Sequence, residues 1–317
     1  TEGKTISGKN NIGGIVGWNL QNATLSENTS YANLSGAGDA VGGIAGRNSG
    51  KIEAVKYQLQ GTTTQKITSN GSAVGGLVGV NELDGMLQAN GTGTNSELVV
   101  IETNVSINGK QKVGGVVGVN YGQFGAAGPY LTCSAGQVRA TRGTVGGIVG
   151  ETNGNVAHAV NRSQTVTADS GAAGGITAVV QEGKMISDCK SYGTVRSSAG
   201  YAGGIAATNA GMIRDCKVEG TGTNSAWIYS LGKDEIGAIT AVNEATGTLQ
   251  NSSPGANVKL QSDGTKFGGI TGKNLGIVEH ATLTNMPSIE STQTSLAVGG
   301  AAGENLGAVT FVTSTNL

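Results

Sequence analysis

Few side chains in this 317-residue chain could do acid–base, nucleophilic or metal chemistry. It has two histidines, three cysteines and 21 carboxylates. His158 and His280 fall at the same offset in two copies of a repeated phrase, four copies apart. If copies stack as strands do, about 4.8 Å apart, the two imidazoles lie about 19 Å from each other. That is too far to share a metal or a proton, so each is expected to be an ordinary strand residue. Cys189, in ISDCKS, and Cys216, in IRDCKV, occupy matching slots of adjacent copies. One strand spacing is within disulfide range, but in-register side chains point the same way, so a buried thiol pair is expected. Cys133 has no obvious partner, and the three cysteines lack metal-ligand spacing. Asp188 and Asp215, each next to its cysteine, are the nearest thing to carboxylates recurring on neighbouring copies. Stacked, they could hold a cation, but their sequence context adds nothing to support one.

Catalytic signatures are absent. The chain has no GxSxG elbow, no HExxH and no GxxxxGK[ST] phosphate loop. SGAGDAVGG (Ser35–Gly43) comes near the dinucleotide-binding spacing, but its glycines are off by one and no helix follows. A glycosidase or lyase built on such a repeat would need carboxylates, or basic residues with a bound cation, clustered on one outer face. The expectation is therefore no enzyme: no catalytic residue, no metal and no cofactor.

Composition narrows the partners. Net charge is −1 and the 20 lysines and arginines are scattered, so no nucleic acid is expected. No run of eighteen apolar residues exists, so this chain is not expected to insert into a membrane. The opening TEGKTISGKN is no signal peptide and lacks an initiator methionine, which reads as a fragment of a larger protein. Aromatic residues make up 4% of the chain, so any stacking surface must use a few of them. The candidates are Trp18, and Trp227 with Tyr229 in a long interval between repeats; the alternative is that they cover local apolar surface.

These residues must be positioned by a framework, and glycine announces it. Glycine accounts for 56 residues, more than twice the usual ~7%. Three prolines and no three-residue period exclude collagen. Instead a phrase recurs, as in VGGIAGRNSGKI (Val41–Ile52) and FGGITGKNLGIV (Phe267–Val278). With its first glycine as position 0, the copies fall at Gly13, Gly42, Gly75, Gly114, Gly146, Gly174, Gly203, Gly237, Gly268 and Gly299. Position +1 is Gly except at Ala238, and position +4 is Gly or Ala throughout. Position +6 is Asn in eight copies; in copy five it reads as shifted to Asn153, and copy six has Val180.

A short, β-branched, glycine-rich phrase reads as a buried strand, since helical interior glycines would cost about 1 kcal/mol each. Strand alternation places 0, +2, +4 and +6 on one face, expected inward. Positions −1, +1, +3 and +5 go to the other; the variety at +5 suggests that this face meets solvent, and Val, Ala and Thr at −1 and +3 would form an apolar strip if exposed, the alternative being that another layer of the chain covers them. No T-x-T row recurs on every copy, which argues against an ice-binding face. Asn at the strand end suits a turn and could bond its counterparts as a ladder. Second strands such as GKIEAVKYQ and third stretches such as YGTVRSS complete each repeat. The expected fold is all-β: a single parallel β-solenoid over residues 1–317, about ten coils of roughly three short strands. Ten coils at about 4.8 Å give a stack about 48 Å tall. The intervals Gly75–Gly114 and Gly203–Gly237 are expected to bulge as loops. Each contains GTGTNS, at Gly91 and Gly220, four copies apart, which hints at duplication of a four-coil unit.

GGIAGRNSGKI (Gly42–Ile52) and AGGIAATNAGMIRDCKVEG (Ala202–Gly220) resemble the GLUG repeat, and the resemblance extends from Ile12 to Val309. Ala178, Ala207 and Ala241 depart from it at the second-half glycine, and most copies lack the cysteine. The resemblance implies a secreted or surface-anchored bacterial protein. Its repeats would serve as a non-catalytic stalk or adhesive module, or as an accessory domain of a secreted protease or carbohydrate-active enzyme. It brings no active-site residue with it. Expected partners are a host or matrix protein or a glycan, with self-association through the open solenoid ends as a further option.

Overall fold

The computed structural model describes residues 4–58, 64–89, 97–125 and 128–315. It is all-β, a parallel solenoid of ten coils. In the second coil the chain runs Asn33–Gly36, Val41–Gly42, Ala45–Asn48, Lys51–Glu53 and Lys56–Tyr57. The first three segments belong to walls one, two and three, each a ten-stranded sheet running the length of the stack. The last two belong to wall four, a sixteen-stranded sheet. Pairing is parallel and copy on copy: Val41 with Val74, Gly42 with Gly75, Asn48 with Asn81.

The glycine-rich phrase is not one strand. Val41–Gly42 lies on wall two, the chain bends at Gly43–Ile44, and Ala45–Asn48 continues on wall three. The bend resets the alternation. Val41, Ile44 and Ala45 all join the core, as do Val74, Leu77 and Val78 one coil on. The −1 and +3 residues are therefore covered by the chain itself in coils two to nine, each Val or Ile adding about 1.5–3 kcal/mol of burial free energy.

The glycines set the thickness of this core. At +1 a Cβ on Gly43 would lie 2.6 Å from Tyr57 Cδ2, on Gly76 2.7 Å from Ile101 Cδ1, and on Gly115 2.7 Å from Cys133 Sγ. These partners form one row of wall four: Tyr57, Ile101, Cys133, Asn161, Ser191, Val218, Pro254. The interior is one side chain deep there, and the glycine backbone is its far side. The coil with Ala238 at +1 is the one whose row residue is Pro254.

Position +6 forms the expected ladder. Asn19 Nδ2 donates to Asn48 Oδ1, Asn48 to Asn81 and Asn81 to Asn120, each at 2.8 Å. Asn209, Asn243, Asn274 and Asn305 repeat the pattern at the same distance. The amides also bond turn carbonyls, as Asn81 Nδ2 does to Gly85 O and Gln123 O. In copy five the slot is not vacated for Asn153. Thr152 fills it, pairs with Asn120 and comes within 3.5 Å of its amide. Val180 then separates the two ladders.

Position +5 follows a rule across coils. In five coils its side chain meets position −2 of the preceding coil, and the chemistry matches. Arg47 donates to Asn11 Oδ1 at 2.9 Å. Val80 and Val119 are buried with Ala40 and Ala73 in a small outer apolar cluster. Glu151 meets Lys112 at 3.1 Å, and Glu304 meets Lys266 at 2.9 Å. The variety at +5, which reads in sequence as free solvent exposure, is thus partly a record of what lies one coil below.

Candidate binding surfaces

Wall one carries Trp227 and Tyr229. Both lie on a regular strand, Ala226–Ser230, rather than in a loop. The loop in that interval is confined to the residues around Gly220–Ser225, closed by a Thr221–Asn224 bridge. The other GTGTNS copy, at Gly91, lies outside the described residues. Ile228 faces the core and clamps the strand between Val195 and Leu260. Its neighbours therefore point outward. The Trp227 and Tyr229 rings stack on each other at 5.2 Å, nearly parallel at 10°. Lys259 Nζ sits 4.4 Å from the Trp227 ring and the Arg196 guanidinium 5.9 Å from the Tyr229 ring. Burial pushes the Tyr229 hydroxyl up from its ordinary range, and the nearby Glu290 carboxylate adds to it. The pair is a rigid aromatic step between two cations on an otherwise polar face.

Trp18 is not part of that step. It lies on wall three of the first coil, half exposed, and its Nε1 donates to Ser49 Oγ at 3.2 Å.

The two histidines do share a slot, and the slot is a feature in its own right. It runs His158, Asp188, Asp215, Asn251, His280, Phe311 over six successive coils. Every one has a left-handed backbone, with φ between 46° and 55°. Strand periodicity does not foresee this, because a left-handed residue turns its side chain outward at a bend. His158 Nδ1 lies 3.1 Å from Asp188 Oδ2, and Tyr130 Oη donates to Asp188 Oδ1 at 2.6 Å. Burial, with the Asp188 carboxylate beside it, pushes the Tyr130 hydroxyl well above the ordinary tyrosine range. Asp215 instead accepts from Asn251 Nδ2 at 2.5 Å and lies 3.3 Å from Arg214 Nε. The two carboxylates are committed to different neighbours and make no joint cation site. His280 stacks on Phe311 at 4.9 Å. Among the described residues, no three His, Cys, Asp or Glu side chains group as metal ligands would.

Cys189 and Cys216 are neighbours in adjacent coils, both buried and both free thiols. Burial, with the Cys216 thiol beside it, holds Cys189 well above the ordinary thiol range. Cys133 is also buried and lies 3.3 Å from Ser163 Oγ. Burial pushes its thiol up to about 11, which makes it a poor nucleophile near neutrality.

Wall four also holds a groove of about 480 Å³ bordered by Leu83, Tyr121, Gln123, Asn153, Lys184 and Ser187. Tyr121 follows directly on the ladder residue Asn120, and its ring is half exposed. Nothing in its spacing marks it in sequence; only stacking brings residues from four coils to one place. Among the described residues, Ile15, Trp18 and Leu20 are exposed in the first coil, and Val298, Leu306 and Phe311 in the last. No family model matches the chain, and no curated protein or solved structure matches it either.

Proposed function

We propose that this chain is a non-catalytic stalk and adhesive module of a bacterial surface or secreted protein, holding a partner on the outer face of its solenoid. The Trp227–Tyr229 step carries this reading. Tryptophan, tyrosine and arginine concentrate at binding hot spots, where a large rigid group loses little entropy on contact. Here the rings are held by each other, by Lys259 and Arg196, and by strands on both sides. Ten stacked coils supply stiffness without a large core, because each coil buries its apolar residues against the next. The GLUG resemblance of the repeat supports placement outside the cell.

The test is an array of glycans and matrix proteins probed with the purified chain and its Trp227→Ala and Trp18→Ala variants. The expected result is a saturable hit that Trp227→Ala weakens at least tenfold and Trp18→Ala leaves intact. A blank array with folded protein would leave a stalk without adhesive function. Loss only in Trp18→Ala would move the contact to wall three.

A further inference from the structure

We infer that the groove on wall four is a second binding site, distinct from the Trp227–Tyr229 step, and that it takes a neutral, hydroxyl-rich sugar unit. At this recess the fourth coil contributes the two-residue strand Gln123–Phe124 and returns to wall four at Tyr130–Cys133, whereas the next two coils run unbroken as Val156–Asn161 and Met185–Ser191. Its volume of about 480 Å³ falls within the ~300–1,000 Å³ of small-molecule sites.

The lining fits a saccharide. Tyr121 offers a half-exposed ring and Leu83 an apolar edge, which suit the C–H face of a pyranose. Gln123 and Asn153 bring amides that can both donate and accept, and Ser187 adds a hydroxyl. At the groove's edge Asn155 Oδ1 accepts from Met185 N at 2.9 Å and ties two coils together. Gly183, at φ 70°, has open space where a side chain would stand, so a ligand can approach its backbone.

Charge selects among sugars. Among the described residues Lys184 is the one charged side chain lining the groove, and Glu182 is exposed in the same turn. Asp188, next to Ser187, has one oxygen bonded to Tyr130 and the other beside His158. Glu151, near Asn153, is paired with Lys112. With these carboxylates engaged elsewhere and Asp84, beside Leu83, outside the lining, the described lining offers an ionic ligand only Lys184.

Calorimetric titration tests this with three probes: a neutral β-linked gluco-oligosaccharide, an N-acetylglucosamine oligosaccharide and an oligouronate. The wild-type chain should bind at least one neutral probe saturably. Tyr121→Ala should weaken that binding at least tenfold and Asn153→Ala several-fold, while Trp227→Ala leaves it unchanged. Circular dichroism verifies that each variant is folded, and Asn153→Ala carries the test if Tyr121→Ala is not. Binding of neither neutral probe, or binding indifferent to the groove variants, overturns the proposal. Preference for the oligouronate, lost in Lys184→Gln, overturns the neutral assignment. Loss only in Trp227→Ala overturns the groove and leaves the wall-one reading standing.

Discussion

Lys112 Nζ lies 3.1 Å from Glu151 Oε1, although 39 residues separate them. They occupy −2 of one coil and +5 of the next, where Ala40 and Val80, or Lys266 and Glu304, stand elsewhere in the stack. Lys112→Glu should therefore destabilise, and adding Glu151→Lys should recover most of the loss. A double-mutant cycle in urea should give a coupling of roughly 0.2–1 kcal/mol, since both side chains keep solvent contact. The coupling should shrink in high salt. A coupling of zero at low salt would reduce the −2/+5 rule to coincidence.

Position +4 should separate Gly from Ala sharply. A Cβ on Gly118 would lie 2.5 Å from the Ala73 carbonyl carbon and from Val74 N, both backbone atoms that cannot swing aside. Gly118→Ala should cost about 1–3 kcal/mol or more by overpacking. The reverse change at the same repeat position, Ala207→Gly, should cost only about 0.5–1 kcal/mol, largely backbone entropy. Urea midpoints of the two variants check the contrast.

The ladder should respond to gaps more than to removal. Asn81→Leu leaves Asn48 Nδ2 and Asn120 Oδ1 without their partner in a buried row. About 2–5 kcal/mol of lost stability is expected, at roughly 1–3 for each orphaned group. A triple variant, Asn48→Leu with Asn81→Leu and Asn120→Leu, should lose less than the sum of the three single changes. Denaturation of the four proteins side by side gives the answer, and strict additivity would speak against a cooperative row.

Alkali should loosen the fold in a defined window. Cys133 titrates at about 11 when folded, against an ordinary value of 9.0. Between these values the unfolded chain has released a proton that the folded chain still holds. Stability must fall as pH rises through that window and is fully present below it. Buried Tyr57, also pushed up, acts in the same direction at higher pH. A loss of about 3 kcal/mol is expected from Cys133 across the full window, at about 1.4 per pK unit. In Cys133→Ala that part of the decline should vanish from a stability profile taken from pH 8 to 11.5.

Much of this architecture is legible in the sequence, because a stack places like residues on like. Asn48 over Asn81, Cys189 beside Cys216, and the common slot of His158 and His280 all follow from counting along the repeat. What fails is periodicity across Gly43–Ile44. Two adjacent glycines carry no side-chain mark of direction, so a bend there looks like a continuing strand and turns Val41 and Ala45 the wrong way. Left-handed residues hide in the same manner: His158 and Asp188 read as strand positions until φ is known. The groove is hidden for a different reason. Tyr121 and Asn153 share position +7, but Leu83 and Lys184 stand elsewhere in the repeat, and only the stacking of four coils brings these side chains to one place.

The asparagine column has one more property. Every amide donates toward the C-terminal coil and accepts from the N-terminal side, from Asn19 to Asn120 and again from Asn209 to Asn305. Aligned amide dipoles reinforce one another. The molecule is therefore vectorial, with an oxygen pole at Asn19 and a hydrogen pole at Asn305. A coil laid on either end continues the row only if it arrives in the same sense, so growth or docking along this axis has a permitted direction and a forbidden one.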